Sequence, residues 1–277
     1  MREQYETEVS RFKEYLLEEE KSTATIEKYL RDVRTFYLFL ADKAISKGET
    51  MAYKEYLTEH YAPASVNSML IALNCFLRFI GEADCCVRLL KIQRQIFCDQ
   101  EKELSRQEYQ RLVKAAEDTR ISYVLQTICG TGIRVSELQY ITVEAVRNGK
   151  ATVNCKNKTR VIFIPSPLQK LLKRYIKRQG LQSGSVFVTQ NGKPLNRSNI
   201  WRDMKALCKQ AGVSPQKVFP HNLRHLFARM FYSIDKDIVR LSDLLGHSSI
   251  NTTRIYTMEN GDQHRKQLDQ VQKMLTT

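Results

Sequence analysis

The sequence predicts a mainly α-helical chain with one small β-hairpin, built as a helical bundle followed by a larger α+β domain. Three observations lead there. Apolar residues recur at helical spacing through the first hundred residues. A polar stretch without strong periodicity, "FCDQEKELS" (97–105), interrupts that pattern. Beyond it, two short β-like runs flank a polar turn inside otherwise helical sequence. These place a helical domain at 1–98, a linker at 99–104 and a second domain at 105–277.

In chain order, "ETEVSRFKEYLLEE" puts Val9, Phe12 and Leu16 on one stripe. "TIEKYLRDVRTFYLFLADK" does the same with Ile26, Tyr29, Val33, Phe36 and Leu40. "APASVNSMLIALNCFLRFIG" opens near Pro63, repeats Val66, Leu70, Leu73, Leu77 and Ile80, and stops at Gly81. About four helices result, with Lys21, Lys28, Arg31 and Arg34 on their solvent faces. A capping box, Ser105 with Glu108, starts the second domain. Helices run to "LQTICGTG", and then "ATVNCK" (151–156) and "RVIFIP" (160–165) flank "KNKT" as a hairpin. Pro165 and Pro167 begin a helix that Gly180 ends, and "SGSVFV" (183–188) is a further strand candidate. A helix capped near Asn196 or Ser198 stops at Gly212. Helices around 221–232 and 244–257 follow, then an amphipathic tail from Gln263 to Met274.

Composition narrows the function. Forty-four Lys and Arg oppose 30 Asp and Glu, giving a net charge of +14 and a pI near 9.5. Such an excess marks a polyanion partner, and nucleic acid is favoured over an anionic membrane, because neither a basic amphipathic helix with a bulky apolar face nor a lipidation signal is present. No run approaches the roughly 20 apolar residues of a membrane span. The N-terminus lacks the apolar core of a signal peptide, so an intracellular, cytoplasmic protein is expected. Seven scattered cysteines without a C-x-x-C pair fit neither a disulfide framework nor a zinc site.

Three of the chain's five histidines fall in "HNLRHLFARMFY" (221–232) and "LLGHSSINTTRIYT" (244–257). With Arg134 from "GTGIRVSEL" and Lys156 and Lys158 from the hairpin, these stretches suit chemistry on a phosphodiester. Its transition state gathers charge on the non-bridging oxygens, and guanidinium forks at Arg134 and Arg224 match that charge. Tyr256 is the natural nucleophile. A free phenol, with a pKa of about 10, is ionised about once in a thousand at neutral pH, so it needs a cationic cluster or a base. His221 can act as that base or hold the phosphate. A hairpin lysine suits protonation of the departing sugar oxygen. His221 and Arg224, three apart after Pro220, share one helix face beside an N-terminus, where anions bind. His225 and His264 read as structural, His225 as an orienter of its neighbours. Asp235 and Asp237 resemble a weak metal pair, but "SIDKDI" reads better as a loop with a helix cap.

"TGIRVSEL", "PHNLRHLFA" and "LLGHSSINTTRIYT", in that order and spacing, resemble the signature of the tyrosine recombinase family. The likeness spans essentially the whole chain, because the N-terminal bundle also resembles the family's core-binding, SAM-like domain. It implies that Arg134 and Arg224 clamp the phosphate, that His221 and His247 fill the two histidine positions, and that Tyr256 forms a 3′-phosphotyrosyl link and frees a 5′-hydroxyl. Glu137 resembles a position that supports the site from behind. Relatives often read Gly-Lys-Gly-x-Lys-x-Arg in the hairpin. This chain's shorter "CKNKTR" lacks both glycines, so Lys156 is preferred as the general acid and Lys158 is the alternative. Leu226 stands where many relatives carry Thr or Ser, outside the chemistry.

The resemblance further implies a site-specific DNA recombinase that cuts and rejoins strands for integration, excision or dimer resolution. It would need no cofactor and no metal; the sequence has no G-x-x-x-x-G-K-[ST] loop for ATP and no cluster of carboxylates for two metals. The partner is double-stranded DNA at specific sites, engaged by a homotetramer on two sites and clamped between the two domains. The place of action is the cytoplasm, at the nucleoid. Candidate DNA contacts are Lys21, Thr25, Lys28, Arg31, Ser65, Asn67, Lys158 and Arg160. The tail, with Leu268, Val271 and Leu275 at helical spacing, fits either docking on a neighbouring protomer or packing on its own domain. Because the bundle begins near residue 5, the simpler Xer-like type is expected, without the arm-binding domain of some integrases. A type IB topoisomerase shares the tyrosine and arginines, but the "LLGHSS…YT" spacing and the bundle favour recombination. A silent DNA-binding protein should lack one of the five motif residues, and all five are present. A metal-dependent nuclease is the third alternative, which activity surviving EDTA argues against.

Overall fold

The computed structural model describes residues 2–41, 43–92, 102–155, 158–247, 249–257 and 261–276. The chain divides into two compact units, residues 1–94 and 95–277. Leu104, expected in a linker, is buried in the second unit's core, and Glu103 pairs with Arg229 of that unit. An apolar side chain and a charge partner thus draw 103–104 onto it.

The first unit is four helices: α1 (Arg2–Glu18), α2 (Thr23–Leu40), α3 (Lys47–His60) and α4 (Pro63–Phe79). Three of the four starts have a local cause. The Ser22 and Ser46 hydroxyls accept from the backbone N–H of Thr25 and Glu49, and Pro63 occupies the first turn of α4. The stripes read from the sequence meet inside. Val9, Phe12, Leu16, Ile26, Leu30, Val33 and Phe76 form one apolar cluster; Phe36, Leu40, Tyr53, Leu57, Val66, Leu70, Leu73 and Leu77 form the other.

The second unit begins with α5 (Arg106–Ala115), closed by the Ser105/Glu108 capping box, and α6 (Arg120–Thr131). A 3-10 turn (Val135–Tyr140) and α7 (Val143–Asn148) lead into the antiparallel hairpin of β1 (Lys150–Cys155) and β2 (Lys158–Phe163). Strand β2 starts two residues earlier than the sequence suggests, because Lys158 pairs with Cys155 and the Thr159 hydroxyl meets the Asn154 side chain at 2.7 Å. Ala151 and Val153 turn one hairpin face into the core with Ile162, while Val161 and Phe163 stay exposed.

Next come α8 (Ser166–Gln179), α9 (Arg197–Ala211), α10 (Pro220–Ile234), α11 (Ile238–Leu245), α12 (Ile250–Thr257) and α13 (Gly261–Leu275). Asn196 caps α9, and Asp237 caps α11 by accepting from Val239 and Arg240 N–H; Asp235 pairs with Arg240. The expected strand at 183–188 is absent. Two isolated bridges, Thr142 with Ser185 and Val188 with Pro194, take its place. Val186 and Phe187 are buried as expected of a strand, but their backbone partners lie in a 3-10 end and a turn, so no ladder extends.

Candidate active site

Helix α10 supplies the centre. Phe219 is extended and Pro220 fills the first turn, so His221, Arg224 and His225 follow at helical spacing on one face. Behind them, the buried Asn222 amide donates to the carbonyls of Lys102 (2.7 Å) and Lys217 (2.8 Å). Arg229 pairs with Glu103 and donates to Leu104 O at 2.6 Å. Residues 102–104 therefore strap the helix.

Arg224 is 2% exposed. Its guanidinium donates to Gly132 O and Leu245 O, both at 2.6 Å, and to His247 Nε2 at 3.0 Å. No carboxylate among the described residues pairs with it, and its Nε–H is buried without a partner. Burial, and then the charge of Arg134, lower its pKa to about 10, against the opposing pull of Tyr256. It stays charged at neutral pH. Gly132, whose carbonyl Arg224 reaches, lets the end of α6 pack closely on α10. This residue ends α6 at φ +63°, and a Cβ there would lie 2.4 Å from Phe227.

Arg134 is held differently. Glu137, 2% exposed, accepts from the Arg134 N–H at 2.9 Å and from its guanidinium at 3.0 Å, and also pairs with Arg160 of β2. Burial pushes the Glu137 carboxyl up, but these bonds outweigh it and hold the group below its ordinary value. Arg134 also reaches Gly246 O at 3.2 Å, and Arg160 reaches Leu244 O at 2.7 Å. Arg134 beside the 3-10 turn and Arg160 of the hairpin thus converge on one carboxylate, and each also donates to a carbonyl at the end of α11. Gly246, at φ +62°, leaves room for Arg160, whose Cδ would stand 2.5 Å from a Cβ there.

Tyr256 of α12 is 4% exposed. Its ring stacks on His247 (5.6 Å between centroids, 14°) and meets His225 edge-on (4.4 Å, 77°); His221 lies at 6.4 Å. His247 Nδ1 lies 2.8 Å from the Thr253 hydroxyl. Desolvation and then the surrounding positive groups, His225 and Arg224 first for His221 and Arg224 first for His247, lower both imidazoles to about 4. Both are neutral at pH 7. Two guanidinium groups, two neutral imidazoles and a phenol are therefore gathered at one place, a set whose donors suit an anion and whose imidazoles can take the phenol's proton.

The structure brings Arg134, Glu137, His221, Arg224, His247 and Tyr256 together. Lys156 lies outside the described residues, and Lys158 opens β2 opposite Cys155. In the first unit, Lys21, Arg31 and Ser65 are exposed. Thr25 bonds Ser22, Lys28 bonds Asp32 and Ser68 O, and the Asn67 amide is committed to the Leu90 backbone (2.9 and 2.7 Å). Arg160, expected as a DNA contact, is turned inward to Glu137. Sequence reasoning missed Thr253, Glu103, Asn222 and Arg229; the only available signal was Thr253 lying one helical turn before Tyr256. Among the described residues, no group of three or more His, Cys, Asp or Glu side chains is placed to hold a metal ion. Nor is any helix long and apolar enough to cross a membrane.

Residues 102–263 match the phage integrase family, and residues 9–83 match the phage integrase N-terminal SAM-like domain. Tyrosine recombinase XerA of Pyrococcus furiosus is 31% identical over 264 residues, covering 89% of this chain and 87% of that protein. The crystal structure of XerA recombinase matches at 28% identity and a TM-score of 0.54, over 96% of this chain and 98% of that one. The fold is also that of a lambda integrase tetramer bound to a Holliday junction, with a TM-score of 0.72 at 19% identity over 91% of this chain and 76% of that one. The chain belongs to the phage integrase family, the tyrosine recombinases, and is a site-specific recombinase.

Proposed function

We propose that the protein cuts and rejoins double-stranded DNA at specific sites, with Tyr256 as the nucleophile. The Tyr256 oxygen attacks the scissile phosphorus while its proton passes to neutral His221. The bond from phosphorus to the 5′ oxygen breaks, and that oxygen takes a proton from the hairpin lysine, Lys156 in preference to Lys158. A 3′-phosphotyrosyl link and a free 5′-hydroxyl result. Attack by another strand's 5′-hydroxyl reverses these steps and completes exchange, so the ester conserves the bond energy. Arg224 and Arg134 carry the charge on the non-bridging oxygens, with His247 beside them and Glu137 aligning Arg134.

The observation that carries this reading is Arg224. A buried guanidinium bonded to two carbonyls and an imidazole, with no carboxylate partner among the described residues, calls for an anion. A DNA phosphate is that anion, and it arrives beside the Tyr256 ring. The phosphate's charge also offsets the neighbouring cations, which raises the proton affinity of His221 at the moment it is needed.

On the same reading residues 1–98 bind DNA and 105–277 carry catalysis, with 103–104 of the expected 99–104 linker packed onto the catalytic unit. Lys21, Thr25, Lys28, Arg31, Ser65, Asn67, Lys158 and Arg160 are the candidate DNA contacts; the exposed Lys21, Arg31 and Ser65 are best supported. The assembly is a homotetramer on two sites, acting in the cytoplasm at the nucleoid. Exposed Leu268, Val271 and Leu275 on α13 support docking of that helix on a neighbour. Deleting residues after 260 should weaken assembly more than DNA binding, and unchanged recombination by the truncated chain would contradict that role. The chemistry is tested with a nicked suicide duplex carrying candidate sites. A covalent adduct on a denaturing gel, lost in Tyr256→Phe, is expected; an adduct that persists in the variant overturns the proposal.

A further inference from the structure

We propose that Thr253 is a positioning residue: docked with Tyr256, it fixes His247 as the Nδ1-protonated tautomer, so that Nε2 accepts from Arg224 and aims that guanidinium. This rests on the reading of Tyr256 and Arg224 given above, and adds to it a residue and a state.

The assignment follows from donors and acceptors. A guanidinium has only donors. Arg224 lies 3.0 Å from His247 Nε2, so Nε2 must present its lone pair. A doubly protonated ring would set two donors against each other at that distance, so the ring is neutral. A neutral imidazole with a free Nε2 carries its proton on Nδ1. Nδ1 lies 2.8 Å from the Thr253 hydroxyl, which accepts that proton's hydrogen bond. Thr253 is wholly buried, so water does not compete for the contact.

Thr253 and Tyr256 are three apart on α12 and so lie on one face of a helix that packs against α10 and α11. The seating that brings the phenol among the imidazoles also brings the Thr253 hydroxyl to His247. The tautomer is therefore specified only by α12 seated as it is here, because Thr253 is the buried partner of Nδ1–H. The aim of Arg224 is therefore coupled to the presence of the nucleophile.

Long-range nitrogen-15 NMR of the full chain, labelled at histidine, reads the tautomer directly, with the His247 signals identified by their loss in His247→Gln. The wild-type protein should show a protonated Nδ1 and an unprotonated Nε2. Thr253→Val keeps branching and volume but removes the acceptor, so both tautomers should appear. Its single-turnover rate of adduct formation on the nicked duplex should fall about three- to tenfold, the range of one lost hydrogen bond, with DNA affinity unchanged. Thr253→Ser should restore tautomer and rate. A wild-type ring protonated at Nε2 overturns the inference without any variant, as does a Thr253→Val protein with unchanged tautomer and rate. Tyr256→Phe separates the two levels. Adducts surviving that change refute the nucleophile itself, whereas their loss beside an indifferent Thr253→Val refutes only the role of Thr253.

Discussion

Arg224 and Arg134 belong to one constellation but are held by opposite means. Arg224 sits in the floor of the site, on α10, held by carbonyl dipoles and a neutral imidazole and by no carboxylate among the described residues. Arg134 sits at the rim, with its side chain 40% exposed and its charge shared with Glu137. Under the proposed function, the floor is a buried charge that the DNA phosphate completes. The rim is a compensated network, in which Glu137 holds Arg134 and Arg160 and these two reach carbonyls at the end of α11. On that reading the same kind of side chain carries charge in one place and sets geometry in the other.

The sharpest way to break this contrast is Arg224→Lys. An ammonium cannot reach two carbonyls and an imidazole together, and the lost fork should slow adduct formation about a thousandfold. It should also lower stability, because the buried Gly132 and Leu245 carbonyls lose their donor, each at about 1–3 kcal/mol. A loss no larger than that of Arg134→Lys, compared in the same single-turnover assay, would remove the distinction between floor and rim.

Glu137→Gln probes the rim. It leaves Arg134 and Arg160 without their shared anion and should cost about 3 kcal/mol in denaturant unfolding, with a smaller loss of cleavage than Arg224→Lys. Because folding lowers the carboxyl's pKa, the stability Glu137 provides is present above its unfolded value and is lost as pH falls through the folded one. The acid limb of the stability curve should therefore flatten in Glu137→Gln.

The two imidazoles add a second window. His221 and His247 sit near 4 in the folded chain against an ordinary value of about 6.5, so between those limits the unfolded chain binds more protons. Stability should be complete above about pH 6.5 and decline as pH falls toward 4. Removing His247 by His247→Gln should make the decline of the denaturant midpoint over that range shallower. The smallest expected effect is Asp237→Ala, which deletes the α11 cap far from the charge network. It should cost about 1 kcal/mol and leave the rate of adduct formation unchanged.

Much of this was legible in the chain, and the unequal legibility has physical reasons. The helices of the first unit follow from apolar stripes such as Val66, Leu70, Leu73 and Leu77, which are all buried. His221 and Arg224 share a helix face by spacing alone. Gathering Arg134, His247 and Tyr256 around them took the motif order, because they come from separate elements and no local period records which elements meet. What stayed hidden was side-chain direction across long separations. Arg160 follows the hairpin lysines and reads as a DNA contact, yet its guanidinium turns inward to Glu137, 23 residues away. Asn67 reads as a DNA contact and Asn222 as an ordinary polar residue of its helix, yet their amides close backbone groups at Leu90 and Lys102. The run at 183–188 was apolar enough for a strand, but strands also need a partner edge, which a sequence window does not contain.

The most direct test is to locate the protein–DNA bond. After trapping on a nicked duplex and digestion with protease and nuclease, mass spectrometry should find the nucleotide remnant on the peptide containing Tyr256, attached through its phenol oxygen. A remnant on any other side chain, or strand joining that continues in Tyr256→Phe, would contradict the assignment.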